Sequence, residues 1–253
     1  MNTHLVNGGR VEQEGDLFRL VIPPTSDTVY SDAQLDDYGQ DKDYDAQLRA
    51  FANEPPRTLR VQARFSSNAL KGTAGFGFWN APFGPTGQVL ALPSNLWFFH
   101  GSPESDLRVV RGLPGFGFKA AMLNSPQMPM SQMRRTSEVR RILSYSLNKI
   151  LSLPLFSRAA MRVAQAIINA KETVLQLDMT QWHDYELAWL RDIAIFRVDG
   201  REVLRAPKPP RRKLGFVAWI DNYKAIAANG QYEFGYVACL HEQWLEMKMT
   251  NDE

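Results

Sequence analysis

Short stretches in which apolar and polar side chains alternate run through most of this chain. The clearest spans residues 58–66, where Leu59, Val61, Ala63 and Phe65 are separated by polar side chains. An alternation with period two predicts a strand with one buried face. Comparable runs, bounded by glycine and proline, lie at residues 17–22, 75–79, 95–99, 115–118, 185–190, 193–198, 202–204, 214–220, 232–240 and 244–249. About a dozen short strands without βαβ alternation predict an all-β sandwich.

Residues 131–171 depart from this pattern. Apolar residues recur there at helical spacing in two stretches, separated by Pro154, and Ser157 is a suitable N-cap for the second. The first stretch carries Val139, Ile142, Leu143, Leu147, Ile150 and Leu151, and the second Ala160, Val163, Ala164, Ile167 and Val174. The segment predicts a helical insertion between strands, because two short helices alone cannot bury both apolar stripes. Residues 1–253 are therefore expected to form a single domain.

Length and composition fit that expectation. A chain of 253 residues is normal for one all-β domain, and 44% hydrophobic with 22% charged residues is typical of soluble globular protein. The single cysteine, Cys239, lies in an apolar run, which excludes an intrachain disulfide and predicts a buried, inert thiol. The chain shows neither a basic leader followed by an apolar stretch nor an apolar run of about 18 residues. We therefore expect a cytoplasmic protein without a membrane span.

Charge is distributed unevenly along the chain although the net charge is only +2. Residues 1–56 hold eleven acidic and four basic side chains, including a loop-like acidic segment at residues 31–38, whereas residues 131–175 hold eight basic and two acidic ones. A basic segment can bind nucleic acid or an anionic membrane. A solvated helix face close to the acidic segment explains it more simply, so no nucleic-acid partner is expected. A protein contact through these helices remains a further alternative.

The spacing of the polar residues matches no metal-binding or cofactor-binding motif. The four histidines, His4, His100, His183 and His241, are scattered and do not form zinc-ligand patterns. Asp36, Asp37 and the acidic residues at 41–45 could bind calcium, but their spacing fits no EF-hand loop, and an acidic surface loop is the preferred interpretation. We expect neither a metal nor a cofactor.

Two later segments resemble a known family. Residues 182–189 and 195–203 are similar to the pattern His-x-Tyr-x-x-x-Trp followed by φ-x-Val-Asp-Gly-x-x-Val, found in family-16 glycoside hydrolases and related concanavalin A-like proteins. Residues 61–65, 75–79 and 216–220 are similar to further strands of that family. The resemblance covers residues 57–80 and 182–220. It implies a concanavalin A-like jelly-roll sandwich of two curved antiparallel sheets, with any ligand lying across the concave one.

The catalytic motif of that family is incomplete in this chain. Family-16 enzymes use two glutamates in a Glu-x-Asp-x-x-Glu motif, one as nucleophile and one as acid and base. The most similar segment here begins with Glu104 and Asp106, but Val109 stands where the acid/base glutamate is required. The chain is therefore not expected to be a retaining glycosidase of that type.

Strand-borne aromatic residues and one polar cluster are the candidate site residues. Glycine alternates with aromatic residues at 75–79 and 115–118, which clears one strand face, either for a ligand or for a neighbouring indole or the inserted helices. The candidate ligand-binding residues are Trp79, Trp97, Phe99, Trp219, Asn222 and Tyr223. The candidate acids and bases are Asp221, His100 and Glu233.

These residues permit two functions. In the first, the helical insertion covers the concave sheet and encloses a pocket for a largely apolar small molecule, which a single acid could isomerise or cyclise without a cofactor. In the alternative, the chain is a non-catalytic, lectin-like carbohydrate-binding module with an open cleft lined by indoles. The sequence gives no indication of the oligomeric state.

Overall fold

The computed structural model describes residues 1–39, 51–81, 93–110, 112–126, 168–228 and 231–249. The regular elements in this part of the chain are all strands. In chain order they are β1 (Asn2–Val6), β2 (Arg10–Glu14), β3 (Leu17–Ile22), β4 (Asp32–Asp36), β5 (Arg57–Phe65), β6 (Thr73–Trp79), β7 (Asn95–Gly101), β8 (Asp106–Leu107), β9 (Gly117–Asn124), β10 (Asn169–Val174), β11 (His183–Trp189), β12 (Ile193–Val198), β13 (Arg201–Pro207), β14 (Gly215–Asp221), β15 (Tyr223–Ala228), β16 (Gln231–Tyr236) and β17 (Gln243–Met249).

The strands form two large antiparallel sheets and one small one. The front sheet has seven strands in the order β1-β4-β14-β6-β7-β9-β10, and the back sheet has seven in the order β13-β12-β11-β5-β17-β3-β2. The side sheet has the order β16-β15-β8. The two large sheets pack face to face as an antiparallel β-sandwich, which confirms the predicted all-β sandwich.

The core lies between the two large sheets and is rich in aromatic rings. Phe76 and Phe98 of the front sheet meet Tyr185 of the back sheet at ring-centroid distances of 5.1 and 4.9 Å. All three side chains are at most 2% exposed. Fully burying a phenylalanine stabilises a fold by about 1.5–3 kcal/mol. Successive residues of a strand point to opposite faces of the sheet. Phe76 and Phe98 point into the core, so the residues next to them in sequence lie on the outward face. These are Gly75, Gly77, Trp97 and Phe99.

Two sequence predictions are wrong where the structure describes them. Residues 31–38 were expected to form an acidic loop, but Asp32–Asp36 is strand β4, paired with both β1 and β14. Asn169–Val174, the end of the expected helical insertion, is strand β10, paired with β9. Its apolar side chains are held by a sheet edge and not by a helix. The remainder of the predicted insertion, residues 131–167, lies outside the described residues, and β1 and β2 had not been expected.

A tight hairpin turn lies at Asp199-Gly200. It joins β12 to β13, with φ values of 50° and 74° at the two turn residues. Two consecutive positive φ values are those of a type I′ turn, which matches the right-handed twist of the flanking strands.

Candidate functional site

Four aromatic side chains form a continuous patch on the outward face of the front sheet. We call this patch the aromatic floor: Trp79 on β6, Trp97 and Phe99 on β7, and Trp219 on β14. Ring-centroid distances are 5.5 Å for Trp79–Trp97, 5.4 Å for Trp97–Phe99, 5.2 Å for Trp97–Trp219 and 6.0 Å for Phe99–Trp219. The angles between the planes of these pairs run from 19° to 48°. The rings thus form a gently tilted surface.

The two glycines of β6 provide the space that this patch occupies. A Cβ placed on Gly75 would lie 3.0 Å from Cη2 of Trp219, and one on Gly77 would lie 2.6 Å from Cβ of Trp97. Of the two explanations for the glycine–aromatic alternation, the neighbouring indoles therefore account for the cleared strand face. Any ligand would lie on top of the rings and not in the gaps beside the glycines.

The N–H groups of two of the three indoles donate hydrogen bonds within the protein. Trp219 Nε1 donates a hydrogen bond of 2.9 Å to Oγ1 of Thr73, and Trp79 Nε1 donates to the hydroxyl of Tyr38. Trp219 is 8% exposed, while the other three rings are half-buried. The N–H groups of Trp79 and Trp219 are thus occupied, which leaves the ring faces as the contact surface of these two side chains.

Strand β4 supplies a polar edge to the aromatic floor. Asp32, Gln34 and Asp36 point outward and stand opposite Asp221, Trp219 and Val217 of β14. Asp36 accepts hydrogen bonds from Gln34 Nε2 at 2.7 Å and from the Tyr38 backbone N–H at 3.0 Å. Asp32 is only 3% exposed, and its carboxyl has no hydrogen-bond partner among the described residues. Burial, together with the charges of Asp221 and Asp36, raises the pKa of Asp32 well above its ordinary value.

Asp221 lies at the same edge and is tightly held. Its Oδ1 accepts hydrogen bonds from the Thr73 hydroxyl at 2.7 Å, the Thr73 N–H at 3.2 Å and the Tyr223 N–H at 3.0 Å. Burial raises the pKa of Asp221 to about 6, although these three donors oppose the shift. Since Trp219 donates to the same Thr73 hydroxyl, Asp221 is linked through one hydroxyl to the aromatic floor.

A cluster of tyrosines borders this carboxyl. The Tyr30 hydroxyl lies 3.5 Å from Oδ2 of Asp221, and its ring is stacked on Tyr236 at 5.3 Å and meets Tyr223 at 6.3 Å. Burial, with the nearby Asp221 charge, raises the pKa of Tyr223 to about 12. The phenol of Tyr223 is therefore neutral at physiological pH and can donate a hydrogen bond.

Lys119 and Glu172 form a buried ion pair beyond Phe99. Lys119 stands opposite Phe99 on the neighbouring strand, and its ammonium lies 3.3 Å from Oε2 of Glu172. Their side chains are 2% and 7% exposed. Burial raises the pKa of Glu172, and Lys119 opposes that shift. On the same outward face Asn95 is 2% exposed, and its Oδ1 has no partner in the described residues.

The structure does not bring every predicted site residue to this face. His100 points into the core, 4% exposed, with Nε2 3.3 Å from the Leu70 carbonyl, and burial lowers its pKa. Glu233 lies on the side sheet in an exposed ion pair of 2.6 Å with Lys224. A catalytic role for His100 or Glu233 stays a prediction without support from the position of either residue.

Asn222 has a structural task. Its Oδ1 accepts the Ser31 N–H at 2.9 Å, and its Nδ2 donates to the carbonyls of Val29 at 2.9 Å and Val237 at 3.1 Å. The amide is buried and saturated, so it ties the segment before β4 to the start of β15. Of the predicted residues, the outward face therefore gathers the four aromatic ones and Asp221, with Tyr223 at its border.

The polar edge was not among the predicted site residues. Asp32, Gln34 and Asp36 alternate with Ala33 and Leu35, which are buried in the core. That alternation with period two is the sequence signal that could have indicated strand β4. The acidic composition of the segment favoured a loop instead. Lys119, Glu172 and Asn95 gave no local signal.

The other expected binding motifs take part in local contacts. Glu104 pairs with Lys71, and Asp106 with Arg108. Asp37 accepts the Phe216 N–H and the Asn53 amide, each at 2.6 Å, while the acidic residues at 41–45 lie outside the described part of the chain. Within the described ranges, no cluster of three His, Cys, Asp or Glu side chains suits a metal ion. The same ranges contain no helix long and apolar enough to span a membrane.

Comparison with protein-family models and with curated proteins finds no match. Among solved structures, a GlcNAcα1-4Gal-releasing endo-β-galactosidase from Clostridium perfringens is 10% identical to this chain, with a TM-score of 0.47. That match covers 98% of this chain and 57% of the clostridial chain. A family-16 endo-glucanase from Bacteroides ovatus is 8% identical with a TM-score of 0.46, covering 96% and 85%. A legume lectin-like domain from Entamoeba histolytica is 7% identical with a TM-score of 0.46, covering 100% and 91%. The chain thus spans little more than half of the clostridial enzyme.

Proposed function

We propose that this protein binds a carbohydrate whose sugar rings lie on the aromatic floor of the front sheet. The observation that carries the proposal is the combination of four adjoining ring faces with polar side chains on both sides. Asp32, Gln34 and Asp36 border the rings along β4, and Asn95 borders them along β7. Aromatic faces pack against the C–H face of a sugar, while carboxylates and amides accept hydrogen bonds from its hydroxyls.

The polar groups favour a hydroxylated ligand over a largely apolar one. Asn95 Oδ1 is buried without a partner in the described residues, and the carboxyl of Asp32, a residue 3% exposed, accepts no hydrogen bond from them. An apolar ligand placed over them would remove their remaining contact with water and leave their hydrogen-bonding capacity unused, which costs about 1–3 kcal/mol per group. Sugar hydroxyls supply the donors that both groups lack. A helical cover, on which the enclosed apolar pocket depended, lies outside the described residues.

An acid-assisted reaction on a largely apolar small molecule is the second candidate, and one observation favours it. Asp221 adjoins the aromatic floor, and its pKa of about 6 suits a group that must hold a proton near neutral pH. An isomerisation or cyclisation could use that proton without a cofactor. The two candidates differ in the ligand that stabilises the protein.

The experiment that separates them is a thermal-shift screen followed by calorimetry, with one panel of oligosaccharides and one of polycyclic and polyene compounds. We expect oligosaccharides to raise the melting temperature of the wild type and of a W182A control. Trp182 suits as control because it is 40% exposed and contacts Arg64, on a strand of the back sheet. W97A should lose roughly thirtyfold in affinity, as expected for a central aromatic contact.

Two results would contradict the carbohydrate proposal. One is a shift with the apolar panel alone, which would support the second candidate. The other is W97A binding oligosaccharides as tightly as wild type and W182A, which would place the carbohydrate away from the aromatic floor.

A further inference from the structure

Asp32 and Asp221 stand directly opposite each other on neighbouring strands. They form one register pair of the antiparallel β4/β14 ladder, and both point to the outward face. Directly opposed residues in such a ladder have Cβ atoms about 4.5–5.5 Å apart. The two side chains are 3% and 8% exposed. Two carboxyl groups this close and this buried cannot both ionise without a large cost, so they retain one proton between them.

The two carboxyls are unequally supplied with hydrogen-bond donors. Asp221 Oδ1 accepts three hydrogen bonds, two from Thr73 and one from the N–H of Tyr223. Asp32 accepts none from the described residues. Donors stabilise the ionised form of a carboxyl, whereas burial without donors stabilises the neutral form. The negative charge therefore resides on Asp221 and the proton on Asp32.

The surrounding groups reinforce this distribution. Asp36 lies four residues from Asp32 along β4, and the Tyr30 hydroxyl is 3.5 Å from Oδ2 of Asp221. Tyr223 of β15 and the buried thiol of Cys239 also face Asp221, and on β1 the residue opposite Asp32 is Val6 and the one opposite Gln34 is His4. In the described part of the chain, neither Asp32 nor Asp221 forms an ion pair with a basic side chain. Further negative charge from Asp36 opposes full ionisation of the pair.

We propose that Asp32 and Asp221 form a proton-sharing pair in which the carboxylic acid of Asp32 donates a hydrogen bond to an oxygen of the ligand lying on Trp219. The proposal rests on the carbohydrate-binding function above and specifies its chemistry. A sugar ring, hydroxyl or glycosidic oxygen accepts that hydrogen bond. Ionisation of the pair removes the donor and places a second negative charge beside the ligand, so binding weakens as the pH rises.

The first experiment needs no ligand. Carbon-13 labelling of aspartate carboxyls lets NMR follow their titration in the wild type and in D32N, D221N and D36N. We expect one signal that disappears in D32N to stay protonated at pH values where Asp221 is ionised, and this Asp32 titration to move to lower pH in D221N, where the neighbouring charge is absent. D36N should shift both titrations only slightly. Titration of every aspartate in the ordinary range, or an Asp32 titration unchanged in D221N, would overturn the shared proton.

The second experiment measures the affinity for the oligosaccharide with the largest thermal shift, by calorimetry between pH 5 and pH 8. Wild type and D36N should lose roughly tenfold in affinity over this range, as expected for one lost hydrogen bond. D32N should bind without this pH dependence, because an amide donates a hydrogen bond at every pH. D32A should bind weakly throughout.

The outcomes separate the two proposals. Binding that requires Trp97 but is equal at pH 5 and pH 8 would overturn the proton-sharing donor and leave carbohydrate binding in place. Failure of every oligosaccharide to bind at pH 5 would overturn carbohydrate binding itself, and with it the role of Asp32 as a donor to sugar. The NMR titration then still decides whether the carboxyl pair shares a proton.

Discussion

The indole of Trp219 lies over the backbone of Gly75, its register partner on the neighbouring strand. A Cβ on Gly75 would come within 3.0 Å of Trp219 Cη2 and 2.3 Å of the Phe98 carbonyl oxygen. A Cβ on Gly77, two residues further along β6, would come within 2.3 Å of the Leu96 carbonyl oxygen and 2.6 Å of Cα and Cβ of Trp97. The flat aromatic patch therefore depends on two positions without side chains, and its geometry is set by backbone contact as much as by ring stacking.

Gly77→Ala should damage both stability and the aromatic floor. Gly77 has φ +153°, and its added methyl would lie 2.6 Å from both Cα and Cβ of Trp97, which are backbone-anchored atoms that cannot rotate away. We expect a loss of about 2–4 kcal/mol in the free energy of unfolding. Urea denaturation would measure the loss, and tryptophan fluorescence of the folded variant would report the displaced indole.

Gly15→Ala is the matched control for that substitution. Gly15 also has a positive φ, +61°, but nothing lies within 4 Å of its added Cβ. It should lose only about 1 kcal/mol, the cost of an alanine in a left-handed conformation. If Gly77→Ala proved no less stable than Gly15→Ala, the packing of Trp97 on β6 would not be as described.

The strands with conventional alternation could be predicted from the sequence, and the strand that matters most for the site could not. Residues 17–22 and 193–198 show apolar stretches that become β3 and β12. In β4 the outward positions carry Asp32 and Asp36, which are 3% and 5% exposed in a strand that β1 and β14 flank. Burial of a charged residue depends on its tertiary neighbours, so a local pattern predicts solvent exposure there.

The sequence also did not determine on which face of the sheet each residue of a strand lies. In β7 three aromatic residues, Trp97, Phe98 and Phe99, follow one another and lead into His100. Because no polar residue separates the three, alternation alone does not decide which of them face the core. The structure places Phe98 and His100 inside and Trp97 and Phe99 outside. A candidate list from sequence could therefore contain the right aromatic residues and still include a histidine from the opposite face.

Removing one partner of the buried ion pair between Lys119 and Glu172 should destabilise the protein more than replacing both partners by apolar residues. Glu172→Gln leaves the ammonium of Lys119, only 2% exposed, without a carboxylate in the described residues. We expect this variant to lose about 3–5 kcal/mol in the free energy of unfolding, and the apolar pair K119M/E172L to lose less than either single change. A double-mutant cycle in urea would measure the coupling.

The exposed ion pair of Arg211 and Asp192 is the control for that cycle. Its side chains are 72% and 81% exposed, so Asp192→Asn should change stability little. A K119M/E172L variant less stable than both single variants would show that the pair stabilises the fold in a way that apolar packing cannot replace.

The stability of the protein should depend on pH through Asp221, with a sign opposite to that of most carboxyls. Its pKa is about 6 in the folded state against 3.8 as the ordinary value, so the folded state binds the proton more tightly than the unfolded state. The stability from this proton is fully present below about pH 4 and is lost as the pH rises through about 6. D221N carries no titrating group there and keeps an oxygen for the Thr73 donors. Relative to wild type, D221N should therefore gain up to about 3 kcal/mol between pH 4 and pH 7.

Urea denaturation of wild type and D221N at pH 4, 5, 6 and 7 measures this difference, and D199N is its control of opposite sign. Partial burial raises the pKa of Asp199, but the hydrogen bonds from His183 and from the Asp184 N–H outweigh it and hold the pKa below the ordinary value. The contribution of Asp199 is thus present above its unfolded pKa and lost in acid, so D199N should be less stable than wild type at pH 7 and approach it as the pH falls. Differences that run in the same direction for both variants would show that burial does not raise the pKa of Asp221 in the folded protein.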